Sequence, residues 1–297
     1  MNKPNTIAGY SDQFTKDCER VLVTLLIGIG RHRDSFYLIG GLTPRYLVPQ
    51  RPPAVPAHAG TLDVDMVIDL QVLANAESYQ SLEENFAKLG FTPAANQKGN
   101  AQRWRWAVRT EHGAIMVIEL LSDRTQGSGA LQPLAGEGRI SALNMDHVSI
   151  VFDHYETVDV SAELLGNGGV GTVSVKYANL VGFTCLKAFA IQNRIENKDA
   201  HDLVYCLEHT PDKSEAVAEK FREAKKGRHG DLVRRSLDIL KTNFLTDRAA
   251  EGYLKRGPVS VAAFELGTDV DPARRELRIL RQRQASAVVD RLIKDIG

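Results

Sequence analysis

Two periods of apolar residues alternate along the first half of the chain. Phe14, Cys18, Val21, Leu22, Leu25 and Leu26 recur at helical spacing and predict a helix over 14–31. Phe36-Tyr37-Leu38-Ile39 reads as a short apolar strand that ends at Gly40-Gly41. Leu42 to Val48 reads as a helix, stopped where Pro49, Pro52 and Pro53 forbid regular structure. From Thr61 to Leu70 apolar and acidic residues alternate, and a period of two predicts a strand. Tyr79, Leu82, Phe86 and Leu89 predict a helix over 76–89. Arg103–Thr110 and Ala114–Leu121 predict a hairpin turning at Glu111-His112-Gly113.

Further on, His147–Phe152 reads as a strand, and Gly171–Lys176 leads into a long helix from about Tyr177 to Arg194. The remaining pattern is helical over 198–208, 212–226, 230–245 and 272–296. An α/β (α+β) chain is therefore expected, in which a mixed region gives way to nearly all helix around 170–180. There is no internal repeat, and no low-complexity segment beyond 49–56.

A length of 297 residues favours two domains or one large one. With 43% hydrophobic and 25% charged residues the composition is globular, which excludes disordered and collagenous classes. The 37 basic and 37 acidic residues cancel, which excludes a uniformly basic nucleic-acid coat. The cancellation is uneven: residues 211–297 carry 19 Lys and Arg against 14 Asp and Glu, leaving 18 against 23 for residues 1–210. Cys18, Cys185 and Cys206 are too few and too scattered for a disulfide framework or a paired-cysteine metal site, and fit a reducing compartment. The longest apolar stretch, Val21–Ile29, is too short to span a bilayer, so no membrane association and a cytoplasmic location are expected.

The chemistry concentrates on the acidic strand. Residues two apart on a strand share a face, so Asp63 and Asp65 project together, roughly 7 Å apart along the strand. Like charges so placed resist ionising together unless a cation neutralises them. Mg²⁺ suits such oxygen donors and is completed by substrate phosphates. The plain alternative is two carboxylates on the solvent face of an edge strand. Gly40-Gly41, between a strand and a helix, allows backbone to approach a phosphate, and Thr43 adds a hydroxyl; the same residues also make an ordinary turn. Glu119 lies in Ala114–Leu121, apolar enough to expect burial, where a metal would make an acid tolerable; the alternatives are a surface strand end or an ion pair with Arg103 or Arg105.

Leu38-Ile39-Gly40-Gly41-Leu42-Thr43 followed by Thr61-Leu62-Asp63-Val64-Asp65-Met66-Val67, with a later acid in an apolar strand, resembles the polymerase-β-like nucleotidyltransferase superfamily. A second stretch narrows the resemblance. Leu186-Lys187 through Arg194, then Lys198-Asp199-Ala200-His201-Asp202-Leu203, is similar to the AbiEii-type nucleotidyltransferases, toxin components of bacterial toxin–antitoxin and abortive-infection systems. The resemblance covers roughly residues 36–208. Two features depart from the pattern: Leu42 rather than Ser or Thr follows the second glycine, and the stretch from Gly41 to Asp63 is long and proline-rich.

The resemblance implies a nucleotidyltransferase-fold mixed sheet with flanking helices over residues 1–175 and a helical domain over 176–297. It implies Mg²⁺-dependent transfer of an NMP from an NTP to an acceptor hydroxyl, the acceptor being a tRNA 3′ end or another RNA, under control of an antitoxin protein. Asp63, Asp65 and Glu119 would be the metal ligands, Gly40, Gly41 and Thr43 would meet the nucleotide, and Lys187 with Arg194 the pyrophosphate. Asp202, and less directly Asp199, would orient Lys187 or the acceptor. On a helix Lys187 and Arg194 lie two turns apart on one face, while Lys198 and Asp202 are spaced for an ordinary i,i+4 pair on a solvated face. Two other readings stand beside this one: an enzyme that modifies a protein hydroxyl, and a non-catalytic regulatory module on the same fold.

Other residues are less specific. His147 and His154 lack metal-ligand spacing and read as surface residues. Trp104 and Trp106 alternate with Arg103, Arg105 and Arg109, a pattern that fits either an RNA-stacking strand or, more commonly, a strand packing tryptophan into the core. On the terminal helix Arg274, Arg278 and Arg281 share a face opposite Leu277, Leu280, Val288 and Leu292, which suits nucleic acid or plain solvation.

Overall fold

A computed structural model describes residues 3–71, 76–123, 129–134, 140–268 and 271–297, with side chains for all of these except 76–81. The chain divides into two compact units, one made of residues 12–43 and 60–179, the other of 1–11, 44–59 and 180–297.

The first unit holds the strands: β1 (Phe36–Ile39), β2 (Asp63–Ile68), β3 (Thr92–Ala95), β4 (Ala101–Arg109), β5 (Ile115–Asp123), β6 (Leu131–Pro133), β7 (Ser141–Met145), β8 (Tyr155–Glu163) and β9 (Val170–Ala178). They form one mixed sheet in the order β3-β4-β5-β2-β1-β9-β8, with β7 beside the end of β5 and β6 beside β7. The pairs β2–β5 and β1–β9 are parallel, while β1–β2, β4–β5 and β8–β9 are antiparallel. The parallel pairing puts β2 at the centre, which explains its near-continuous burial in spite of two acids.

Helix α1 (Asp12–Gly28) packs on β2, β5, β8 and β9 through its predicted stripe; Cys18, Val21, Leu22 and Leu25 are fully buried. After β1 the chain passes through the short helix α2 (Pro44–Leu47), which belongs to the other unit, and returns at β2. Helix α3 (Ala76–Lys88) presents Leu82 and Phe86 to the sheet, where Phe86 meets Phe91 and Trp106 with ring centroids 5.5 and 5.1 Å apart. The side chain of Tyr79 lies outside the described residues. Trp106 is thus a core residue, its indole N–H donating to the Arg103 carbonyl at 3.0 Å, while Trp104 is half-buried.

Three sequence expectations are corrected in this unit. Val148–Phe152 is a 3-10 helix, because His147 sits at φ 73 and breaks the extension, and the buried residues are Val148, Ile150 and Val151. Tyr177 belongs to β9, paired with Leu38, and the following helix starts only at Leu180. His147 and His154 are half-buried. Strand β8 had no signal because only Val160 on it is buried, and β3, β6 and β7 are too short for a periodic pattern.

The second unit is helical: α4 (Leu180–Asn193), α5 (Asn197–His209), α6 (Ser214–Ala224), α7 (Gly230–Phe244), α8 (Arg256–Leu266) and α9 (Pro272–Ile296). Phe189, Leu203, Leu240, Phe244, Val261 and Val289 anchor its core. Helix α8 was hidden by Gly257-Pro258, which nonetheless fall in its first turn, where a missing N–H costs no helical hydrogen bond. On α9 the buried line runs Ala285, Val289, Leu292, Ile296 and extends back through Arg281, so Leu277 and Leu280, expected to continue the apolar stripe, are each 54% exposed. Arg281 is held by Glu208 and Glu265 at 2.6 Å each instead of facing solvent with Arg274, and Arg278 is likewise half-buried.

Because Phe86 is fully buried between Phe91 and Trp106, Phe86→Ala is expected to lower the unfolding free energy by about 3–5 kcal/mol, read from the urea midpoint at unchanged slope.

Candidate functional site

In the sheet unit the acidic residues occupy one face of the central strands. Val64, Met66 and Ile68 of β2 point to the side covered by α1 and α3, which leaves Asp63 and Asp65 on the other. Asp65 is in register with Ile39 of β1 and with Glu119 of β5, and Glu119 with Arg105 of β4. One row across the sheet therefore reads Ile39, Asp65, Glu119, Arg105. Asp63 is buried, and its Oδ1 accepts from the Thr61 hydroxyl at 3.0 Å. Glu119 is half-buried rather than buried, with Oε1 3.0 Å from Arg105 Nε. The ion pair considered for it from the sequence is thus present.

Gly40 adjoins this row. It adopts φ +74, and a Cβ built on it would lie 1.8 Å from Asp65 Oδ2. Glycine is required there twice over, by the left-handed backbone and by the carboxylate pressed against its Cα. Gly41 is half-buried in the same 3-10 turn. Thr43 is fully buried, and its hydroxyl has no hydrogen-bond partner among the described residues.

In the helical unit a second group forms where α4 meets α5. Lys187 Nζ donates to Asp199 Oδ1 at 2.8 Å and to Asp202 Oδ2 at 2.7 Å. Arg194 grips Asp199 with two bonds of 2.7 and 2.9 Å while remaining half exposed, and Lys198 donates to both oxygens of Asp202 at 2.8 and 2.9 Å. The Lys198–Asp202 pair expected on a solvated face is in fact buried, with 11% and 0% of the side chains exposed.

The ionisation states follow from this packing. Burial opposes the Lys187 ammonium, but the two aspartates outweigh it and hold its pKa above the ordinary lysine value. Burial likewise opposes charge on Asp202 and Asp199, and the cations around them hold both below the usual carboxylate range. For Lys198 burial prevails, with repulsion from Lys187 in addition, and its pKa is lowered.

Sequence reasoning missed three members of this neighbourhood. His58, from the proline-rich stretch, places Nε2 2.9 Å from Asp202 Oδ1, and burial pushes its pKa down to about 4 against the pull of Asp202. Tyr205 ties the same stretch to α5 by donating to the Pro56 carbonyl at 2.9 Å. His201 is bonded through Nδ1 to Glu265 at 2.8 Å. Its only signal in the sequence was its position between Asp199 and Asp202.

The two groups differ in the ions they suit. Asp63, Asp65 and Glu119 offer only oxygen, on one face and beside a glycine backbone, which fits a hard divalent cation such as Mg²⁺. His58, His201 and Asp202 bring one donor atom each within 4.8 Å of one another, a mixed nitrogen and oxygen set. Among the described residues no helix is long and apolar enough to cross a membrane.

Residues 61–258 match the family described as nucleotidyl transferase AbiEii toxin, type IV TA system. No curated protein matches the chain.

Two outcomes are expected. Gly40→Ala should lose at least about 1 kcal/mol more than Gly90→Ala, since both replace a left-handed glycine but only the first meets a neighbour; paired urea titrations give the difference. His58, flanked by Asp202, Lys198 and His201, has a folded pKa below that of the unfolded chain. The unfolded state therefore binds its proton first as pH falls, and stability drops between about pH 6.5 and 4, by up to about 3 kcal/mol. His58→Gln should flatten the pH dependence of the unfolding free energy across that window.

Proposed function

Because the chain belongs to the AbiEii nucleotidyl transferase toxin family of type IV toxin–antitoxin systems, we propose that it transfers an NMP from an NTP to the hydroxyl of an RNA acceptor, a tRNA 3′ end, with Mg²⁺ held by Asp63, Asp65 and Glu119. The observation that carries this reading is the register of Asp65 with Glu119 on the face that also bears Asp63, with the Gly40 backbone against Asp65. When bound, Mg²⁺ supplies charge stabilisation to the attacking and leaving oxygens of an in-line displacement at the α-phosphate. Every other contribution comes from side chains and backbone of the chain.

Gly40 and Gly41 let backbone come close to the triphosphate, where a side chain would stand in the way. The Thr43 hydroxyl, which has no partner among the described residues, is the donor assigned to the nucleotide. Glu119 is the carboxylate assigned to the acceptor hydroxyl proton. Arg105, with Nε 3.0 Å from its Oε1, is assigned to hold it along the sheet row.

Lys187 is assigned to the pyrophosphate leaving group, where its charge counts most in the transition state. Asp199 and Asp202 act as positioning residues: they keep Lys187 protonated and fixed in a buried setting where a free ammonium would be costly. Arg194, half exposed beyond Asp199, is the second cation assigned to phosphate. An RNA acceptor is supported by the basic excess of residues 211–297, and a reducing cytoplasmic location by three free, buried cysteines. An antitoxin partner is part of the family's type IV system.

Incubation with each labelled NTP, Mg²⁺ and total tRNA should label RNA. Asp65→Asn should cut the transfer at least about a hundredfold, at unchanged melting temperature. Absence of transfer to any acceptor, together with absence of Mg²⁺-dependent NTP binding, would leave a regulatory binding module. Label on protein and never on RNA would replace the RNA acceptor with a protein hydroxyl.

A further inference from the structure

The imidazoles of His58 and His201 stack with centroids 5.5 Å apart and planes at 23°, beside the Asp202 carboxylate. One donor atom from each residue lies within 4.8 Å of the others. His201 is 3% exposed, and its Nε2 has no hydrogen-bond partner among the described residues. A buried nitrogen left unpaired is costly, so the cluster lacks one partner.

The surroundings of His201 identify that partner. Its Nδ1 is bonded to Glu265, and Glu265 is fixed in turn by Arg281. A carboxylate on one imidazole nitrogen orients the ring and raises the basicity of the other nitrogen, the usual support of a metal-ligating histidine. We propose that His58, His201 and Asp202 form a binding site for a late first-row divalent cation of the Zn²⁺ class, with Glu265 as the residue that positions His201.

Two nitrogen donors and one carboxylate oxygen suit Zn²⁺ and Co²⁺ better than Mg²⁺. Asp202 Oδ1 already accepts from His58 and Lys198, so binding exchanges one cationic or hydrogen-bonding partner for another without exposing the carboxylate. His201 and Glu265 also line an open cavity of about 640 Å³ with Tyr205, Glu208 and Arg281, which gives an ion a route from solvent to His201. The site does not depend on the nucleotidyl-transfer reading, because what is measured is bound metal.

Chelator-treated full-length protein titrated with Co²⁺ should develop the visible d–d absorption of a low-symmetry site, saturating at one ion per chain and bleached by Zn²⁺. His58→Gln and His201→Gln should each weaken binding at least about a hundredfold. Glu265→Gln, which removes no ligand, should weaken it about 10- to 100-fold. A chain carrying Asp63→Asn and Asp65→Asn should keep the band, which separates this site from the sheet carboxylates. If His201→Gln does not fold, as read from its melting curve without metal, the Glu265→Gln titration decides. No saturable band, a band that survives the histidine variants, or a band lost with Asp63→Asn and Asp65→Asn would overturn the proposal.

Discussion

A lysine ammonium with 8% of its side chain exposed is tolerable only if anions surround it, and the contact of Lys187 with Asp199 and Asp202 is the interaction around which the helical unit is arranged. Each aspartate takes further partners in its turn, Arg194 on Asp199, and Lys198 with the hydrogen-bonding imidazole of His58 on Asp202. Removing one member of such a buried set leaves an uncompensated charge, typically several times more costly than losing a surface pair. The same arithmetic extends outward through His201 and Glu265 to Arg281 and Glu208. Two helix contacts, α4 with α5 and α5 with α8, thus carry charge as well as the apolar packing of Phe189, Leu203 and Val261.

The sheet unit solves the opposite problem. Its central strand β2 gives one face to α1 and α3 and concentrates acids on the other, so a two-residue period separates packing from chemistry. Glu119 enters the acidic face because parallel pairing sets it level with Asp65, and Arg105 because antiparallel pairing sets it level with Glu119. A slip of one residue in either pairing would exchange these side chains for Leu120 or Trp106 and dismantle core and carboxylate row together.

The features legible in the sequence are those written within a few residues. The alternation around Asp63 and Asp65, the glycine pair after an apolar strand, and the Lys198-Asp199-Ala200-His201-Asp202 run are local, and they carried the family resemblance that the match over residues 61–258 bears out. What was illegible depends on distance or on tertiary override. Arg281 looked like a solvated arginine because Glu208 and Glu265 lie 73 and 16 residues away. The residues 148–152 looked like a strand because their apolar content is high, and one left-handed residue at His147 decided otherwise. Helix α8 was lost to a Gly-Pro pair that only its exact start makes harmless.

The stretch 44–59 has a consequence in time. It is translated between two strands of the sheet unit, yet it belongs with helices translated at the end of the chain. His58 precedes Asp202 by 144 residues. At about 5–20 residues per second, the interval between their appearances on the ribosome is roughly seven to thirty seconds. Every strand of the sheet, through Ala178, is made before α5, so residues 44–59 leave the ribosome well ahead of the helices of their own unit. The seating of Lys187 between Asp199 and Asp202 is therefore a property of the finished polypeptide, and a chain stalled before α5 carries the sheet carboxylates without it.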